Sequence, residues 1–313
     1  FDISNFQFLG FIPKSGKEKS EFLTKLLNAQ MPSVCFTSPK RVIKDLNYFE
    51  IKQPLILITQ VQRSGGTLIS QLLDNHKELH AFPSELILTD PKWDWTKKKN
   101  FISYKSMEMR EYSELGFYIK KSVAQNDLWN KFNFDLLKQR FIFDSITKNT
   151  ERDYFNAYFT SFFNSFENYT NHGCNKKFIT AFTPRAIMYE KTVSNFFSIY
   201  PNGHIITVVR NPLSWLASAT KHDKKYRKDL NASISIWKKS TKSSIINATS
   251  NKNVTLIIFE DFIKDIEFSM LKLSKRLNLN FDKSLLEPTF NGNPVLSDSS
   301  FKASKGIDKS ASD

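Results

Sequence analysis

A chain of 313 residues can bury a substantial core, and 40% hydrophobic with 24% charged residues is the balance of a folded globular protein. The net charge of +14 admits polyanionic partners but equally describes a lysine-rich solvated surface, so charge alone selects no ligand. Two cysteines far apart, Cys35 and Cys174, exclude a disulfide-built extracellular scaffold and a zinc site, and their scarcity points to the cytoplasm.

Taken in chain order, the apolar run at 55–60 predicts a strand, and Leu68, Ile69, Leu72 and Leu73 predict a helix over 67–76. Residues 77–84 read as a connection with Glu78 and His80 at its surface, and Glu85 opens the next apolar segment. Asp74 and His76, at the far end of the loop helix, are expected to tie it to its surroundings. From about 95 to 175 the pattern becomes helical. "YFNAYFTSFFNSFENY" places Tyr154, Phe155, Tyr158, Phe159, Phe162, Phe163 and Phe166 on one stripe, expected to pack into a core. Apolar runs at 178–181, 204–209 and 254–259 predict further strands. Val193, Phe196, Phe197 and Tyr200 mark one helix, and Ile266, Met270, Leu273 and Leu277 another. The tail from Asn291 is polar and loop-like. The alternation predicts an α/β fold: a single domain over 1–313, with a central parallel sheet flanked by helices and a helical insertion at about 95–175. No stretch reaches the apolar length of a membrane span, and no signal peptide is visible, although an opening at Phe1 leaves room for an upstream segment.

The connection "TQVQRSGGT" between the first strand and helix has the layout of a phosphate-binding loop. Gly65 and Gly66 let successive N–H groups curl toward one anion, and the helix beginning near Thr67 adds its positive end. Ser64 and Thr67 supply hydroxyls, and Arg63 can fork onto two oxygens. Aligned on Thr67, a nucleoside-triphosphatase loop would carry its lysine at Gly66 and its leading glycine at Gln60, and no carboxylate-ended strand follows to hold Mg²⁺. The loop therefore suits a phosphate-like group held by arginine without a metal. A second anchor follows in "GHIITVVRNPLSWLASAT": Arg210 at a strand end and Ser218 in the next helix can converge on one anion. Two such anchors at strand C-termini suggest a nucleotide with two separate anionic groups.

These segments resemble the sulfotransferases that use 3′-phosphoadenosine 5′-phosphosulfate (PAPS). "QVQRSGGT" is similar to the family's G-x-P-R-S-G-[TS]-[TS] loop, and "LLDNHKEL" to the element after it. Arg210-Asn211-Pro212 with Ser218 resembles the 3′-phosphate element, "LIIFEDF" a strand ending in E-D, and "NGNPVLSDSSF" the family tail. The resemblance covers roughly residues 54–310. It implies that Arg63 contacts the phosphosulfate bridge and that Ser64, Gly65, Gly66 and Thr67 cradle the 5′ group. It further implies that Arg210 and Ser218 hold the 3′ phosphate, and that PAPS is the co-substrate with no metal needed. The implied partner is a hydroxyl-bearing acceptor: carbohydrate, lipid, small alcohol or tyrosyl protein.

Three departures stand out. Gln60 and Gln62 replace the usual Gly and Pro, altering loop stiffness while leaving its donors in place. Phe182 occupies the position of a family lysine credited with stabilising the leaving group, for which Arg185 or Lys305 could substitute. Of the carboxylates and histidines near the loop, Glu85 is the expected general base, in the zone where many relatives carry one. Glu260 and Asp261 resemble a structural E-D pair. Two rival functions, a Mg²⁺-dependent small-molecule kinase and a basic nucleic-acid-binding protein, are opposed by the missing lysine and by the dispersal of the basic residues.

Overall fold

The computed structural model of the protein describes residues 47–86, 135–173 and 175–295. Its centre is a five-stranded sheet of β1 (Leu55–Ile58), β2 (Leu79–Glu85), β3 (Phe178–Phe182), β4 (His204–Val209) and β5 (Val254–Ile258), in the order β2-β3-β1-β4-β5. All the pairings are parallel, with Leu55 opposite Ile179, Ile56 opposite His204 and Ile205 opposite Val254. The described helices are α1 (Gly66–Leu73), α2 (Leu136–Ser145), α3 (Glu151–Ser165), α4 (Glu190–Ile199), α5 (Pro212–His222), α6 (Lys225–Lys228), α7 (Leu230–Ser250), α8 (Phe259–Lys264) and α9 (Ile266–Arg276).

Successive side chains of a strand point to opposite faces, so β1 needs apolar residues at every position if both faces are covered. Ile56 and Ile58, with Ile206 and Val208, pack against Ile69, Leu72 and Leu73 of α1 and against Phe262, Met270 and Leu273 of α8 and α9. Leu55 and Leu57, with Ile179 and Ile205, face Phe155, Phe159 and Phe163 of α3 and Phe196 of α4. The aromatic stripe is thus core, as its spacing implies. α3 starts where Thr150 and Asp153 form a reciprocal capping box, a local signal that sets the helix end before any packing.

The chain leaves β1 toward β2 on one side, returns to β3, then crosses β1 to reach β4 and β5 on the other. The connections diverge at β1 and β4, and a crevice between their carboxyl ends is where open α/β sheets take ligands.

Several expectations are corrected. Residues 77–84 are not a surface connection: β2 runs through most of them, and Glu85 ends that strand instead of opening a new segment. Pro83 lies within β2, an edge strand, where a missing N–H is tolerated, and the register slips between Ala81 and Glu85. Glu78 is buried, pairs with Lys177 at 2.8 Å and accepts hydrogen bonds from Asn280 N and Nδ2. His80 is buried against Phe163 and Tyr169. Asp74 does tie the end of α1 to the tail, accepting from Thr289 Oγ1 and Gly292 N at 2.9 Å each, and His76 Nε2 meets the Asn280 carbonyl. Phe259 opens α8 instead of closing β5, and residues 289–294 form a short antiparallel hairpin (β6, Thr289–Phe290; β7, Asn293–Pro294). Cys35, Cys174, Lys305 and the 95–134 part of the insertion lie outside the described residues. No helix among the described residues is long and apolar enough to cross a membrane.

Two predictions follow from the core. Phe159→Ala should cost about 3–5 kcal/mol, read as a lowered urea midpoint at unchanged slope. Burial, aided by nearby Lys176 and His172, depresses the His80 pKa from 6.5 to about 3. Above pH 6.5 the ring is neutral in both the folded and unfolded states. As pH falls, the unfolded chain takes up the proton first, so stability is lost from about pH 6.5 down toward pH 3. Urea midpoints at pH 7.5 and pH 5 should therefore diverge in the wild type and diverge less in His80→Phe; an equal divergence would remove His80 as the cause.

Candidate functional site

The loop from Thr59 to Gly65 is held almost residue by residue. Thr59 N donates to the Ile206 carbonyl (2.8 Å), and Thr59 Oγ1 accepts from Ile187 N (3.1 Å). The Gln60 carbonyl accepts from Arg185 N (2.8 Å), Val61 N donates to Ser240 Oγ (3.0 Å), and Trp215 Nε1 donates to the Gln62 carbonyl (2.8 Å). Arg210 Nη1 reaches the Arg63 carbonyl at 3.1 Å. These bonds come from β4, the segment after β3, α5 and α7, so the loop conformation is a product of the whole sheet edge.

Two residues of the loop take positive φ: Arg63 at 68° and Gly65 at 97°. For an arginine this costs energy, and it persists here because its neighbours leave no alternative. At Gly65, glycine answers both the dihedral and the space, since a Cβ would strike the Phe259 ring. Gly66 begins α1, and a Cβ there would overlap Gln60 Nε2 and lie 2.6 Å from Phe182 Cε2. Gly65 is the N-cap without a side-chain cap, so the first-turn N–H groups are directed at whatever lies before the helix. Ser64 is buried, and its Oγ meets no hydrogen-bond partner among the described residues. A buried hydroxyl in that state fits a cradle whose ligand completes its bonding.

The second anchor meets the first. Arg63 Nε donates to Ser218 Oγ at 3.3 Å, which places the loop arginine beside the hydroxyl of α5. Arg210 lies with its guanidinium 4.6 Å from the centre of the Phe259 ring, and burial lowers its pKa, with Glu260 opposing and Arg63 adding to that shift. α5 starts immediately after Arg210: Asn211 Oδ1 caps Leu213 N and Ser214 N, and Pro212 presets the first turn. Glu260 accepts from Asn211 N at 2.9 Å, a structural use of the E-D pair. Trp237 Nε1 donates to the Arg210 carbonyl at 3.0 Å.

Arg63, Ser64, Gly65, Gly66, Thr67, Arg210 and Ser218 thus come together at the carboxyl edge between β1 and β4. Glu85 is two strands away, in register with Phe182 at the end of β2, and its side chain is outside the described part of the structure. Arg185 lies beside the loop, but its Nε is given to Gln62 Oε1 (2.5 Å) and its Nη2 to the Tyr226 hydroxyl (3.0 Å). Sequence reasoning missed Phe259, Trp215 and Trp237. The first two sit next to motif residues in sequence or one helical turn away, which is the only signal available. Trp237 carries none. Among the described residues no three His, Cys, Asp or Glu side chains cluster closely enough to hold a metal ion.

A search of curated protein sequences finds no match. Among solved structures, the chain is similar to the sulfotransferase domain from the curacin biosynthetic pathway, at 16% identity over 84% of this chain and 90% of that one, TM-score 0.49. It is also similar to the sulfotransferase domain of the Synechococcus PCC 7002 olefin synthase, at 18% identity over 86% and 90%, TM-score 0.47. A third similar structure is retinol dehydratase in complex with androsterone and the inactive cofactor PAP, at 14% identity over 76% and 64%, TM-score 0.29. The family model described as "Sulfotransferase family" matches residues 54–283, a span that holds the whole parallel sheet, the loop after β1 and the Arg210 anchor. With most of its length matched, the chain belongs to the sulfotransferase family.

Proposed function

We propose that the protein transfers the sulfuryl group of 3′-phosphoadenosine 5′-phosphosulfate to an acceptor hydroxyl by in-line displacement, without a metal. The observation that carries this reading is the meeting of two arginine anchors at one sheet edge, Arg63 on the β1 loop and Arg210 at the end of β4, linked through Ser218 and the Arg63 carbonyl. One ligand bearing two anionic groups answers both anchors, and a separate 3′ phosphate distinguishes this donor from simpler adenylates.

In this reading the N–H groups of Gly65, Gly66 and Thr67 and the Ser64 hydroxyl hold the 5′ phosphate, the Thr67 hydroxyl assists, and Arg63 spans the bridge to sulfur. Arg210 and Ser218 hold the 3′ phosphate. The bond from sulfur to the bridging oxygen breaks as the bond from the acceptor oxygen to sulfur forms. The electron pair leaves on the 5′ phosphate, where Arg63 and the positive end of α1 stabilise it. Glu85, at the end of β2, takes the acceptor's proton. Because the loop and Arg210 are held by contacts within the protein, catalysis here is chiefly positioning and electrostatics. The acceptor class is a hydroxyl compound, with carbohydrate, lipid, small alcohol and tyrosyl protein all compatible.

Calorimetric titration with the desulfated product 3′-phosphoadenosine 5′-phosphate in metal-free buffer should give micromolar binding that excess chelator leaves unchanged. Binding that requires Mg²⁺ and prefers ATP would instead make the protein a kinase. Arg63→Ala and Arg210→Ala should each weaken the product by about 1.5–3 kcal/mol, the loss of a charge-assisted hydrogen bond. Glu85→Gln should bind the product as wild type does and lose turnover by a factor of about 10²–10⁴; unchanged turnover would move the base elsewhere.

A further inference from the structure

The segment 221–228, at the end of α5 and through α6, carries Lys221, Lys224, Lys225, Arg227 and Lys228 against a single carboxylate, Asp223. All five cations are exposed. Asp223 pairs with Lys225 at 2.6 Å, and the next carboxylate, Asp229, caps α7 by accepting from Ala232 N. The turn therefore keeps a surplus of positive charge at the surface. A basic run by itself means no more than solvation, and what distinguishes this one is where it is held.

Tyr226 is the one residue of α6 that is buried. Its hydroxyl accepts from Arg185 Nη2 at 3.0 Å, and Arg185 in turn gives its Nε to Gln62 Oε1 of the loop. Its ring meets Trp215 edge to face, with centroids 5.8 Å apart, and Trp215 Nε1 holds the Gln62 carbonyl. Two separate links, each through one intermediate residue, thus tie the basic turn to the loop after β1. Ser233 Oγ donates to the Tyr226 carbonyl at 3.0 Å and fixes the turn to α7 as well. None of the five cations belongs to the group assigned above to the donor, so their charge is surplus to donor binding.

We propose that the turn at 221–228 is an acceptor-binding surface, and that the acceptor is a polysaccharide bearing carboxylate or sulfate groups. This inference rests on the proposed sulfuryl transfer and names the acceptor class for that site. The acceptor has to supply a hydroxyl to the reaction and anions to the turn. An acidic polysaccharide carries both along its length, so one sugar sits at the loop while its neighbours lie along α6. A neutral sugar, a small alcohol or an apolar lipid makes no use of these cations. With the only ring of α6 turned inward, the turn offers no aromatic face on which a nucleic-acid base could stack. Because the cations are exposed, their attraction is long-ranged and screened by salt.

The test titrates the full chain with a heparin oligosaccharide, with hyaluronan, with neutral dextran and with single-stranded DNA matched in charge to the heparin. The desulfated donor product is titrated in parallel. Wild type is compared with the triple reversal Lys224→Glu, Arg227→Glu, Lys228→Glu and with the milder triple change of the same residues to Gln. Wild type should bind both acidic polysaccharides, losing about tenfold or more in affinity between about 50 and about 200 mM salt, and should ignore dextran. The reversal should weaken both by about tenfold or more, and the Gln variant by less, while each binds the desulfated product within about twofold of wild type. That retained binding shows an intact site. In turnover with PAPS, the reversal should raise KM for hyaluronan and leave kcat unchanged. Polysaccharide affinity unaltered by the reversal overturns the proposal. So does an equal loss for the desulfated product, which would make the cations part of the donor site, and so does DNA bound as tightly as heparin, which would make the turn an unselective polyanion surface. Failure of the wild type to bind the desulfated product is a different result: it overturns the PAPS reading, while the polysaccharide titrations still decide whether the turn binds acidic sugars.

Discussion

The hydrogen bond from Arg210 Nη1 to the Arg63 carbonyl joins the ends of β1 and β4, and much of the site depends on it. It holds Arg63 in a left-handed conformation that an arginine adopts only under constraint, and that turn lets Gly65 follow and α1 begin with its first N–H groups uncapped. The same arginine lies over Phe259, whose ring occupies the space a Cβ at residue 65 would need. Loop geometry, arginine placement and glycine requirement are therefore one constraint seen from three residues.

Around that constraint, side chains from distant elements hold the loop main chain. Ser240 and Trp215 bond it directly, and the Thr59 hydroxyl accepts from Ile187 N. Trp237 does the same for Arg210. A site built this way is arranged before any ligand arrives, which lowers the ordering cost at binding and suits a reaction that relies on placement of charge. The sulfotransferase family membership and this preorganisation are mutually consistent, because sulfuryl transfer asks the protein for position and electrostatics more than for covalent chemistry.

The far side of the sheet is held by a different kind of interaction. β2 is stapled at its start by Glu78, Lys177 and Asn280, and the end of α1 is fixed to the β6–β7 hairpin through the buried Asp74. Burial raises the Asp74 pKa, while the bonds from Gly292 and Thr289 act against that shift. These polar ties anchor the helix whose opposite end faces the site, so the orientation of the α1 N-terminus is set from both ends.

Much of this was legible in the sequence because it is written in local pattern. Runs such as "HIITVV" and "LILI" are apolar on both faces and read as buried parallel strands, the aromatic spacing of α3 reads as a helix stripe, and R-S-G-G-T after a strand reads as an anion loop. β2 was not legible, because Pro83 and the polar residues Glu78 and His80 imitate a connection, and only pairing with β3 and burial under Phe163 and Tyr169 make them strand and core. The residues that seat the loop could not be read either. Trp237 and Ser240 are distant in sequence from the groups they hold, and nothing in their own neighbourhood marks them. Sequence alone thus determined four of the five sheet strands, the loop and the positions of the two arginines at strand ends, since each depends on residues within a few positions. Only the tertiary structure decided that the two arginines meet, that Gln60 and Phe182 pack against Gly66, and that Glu85 ends an edge strand, because those facts follow from which strands lie side by side.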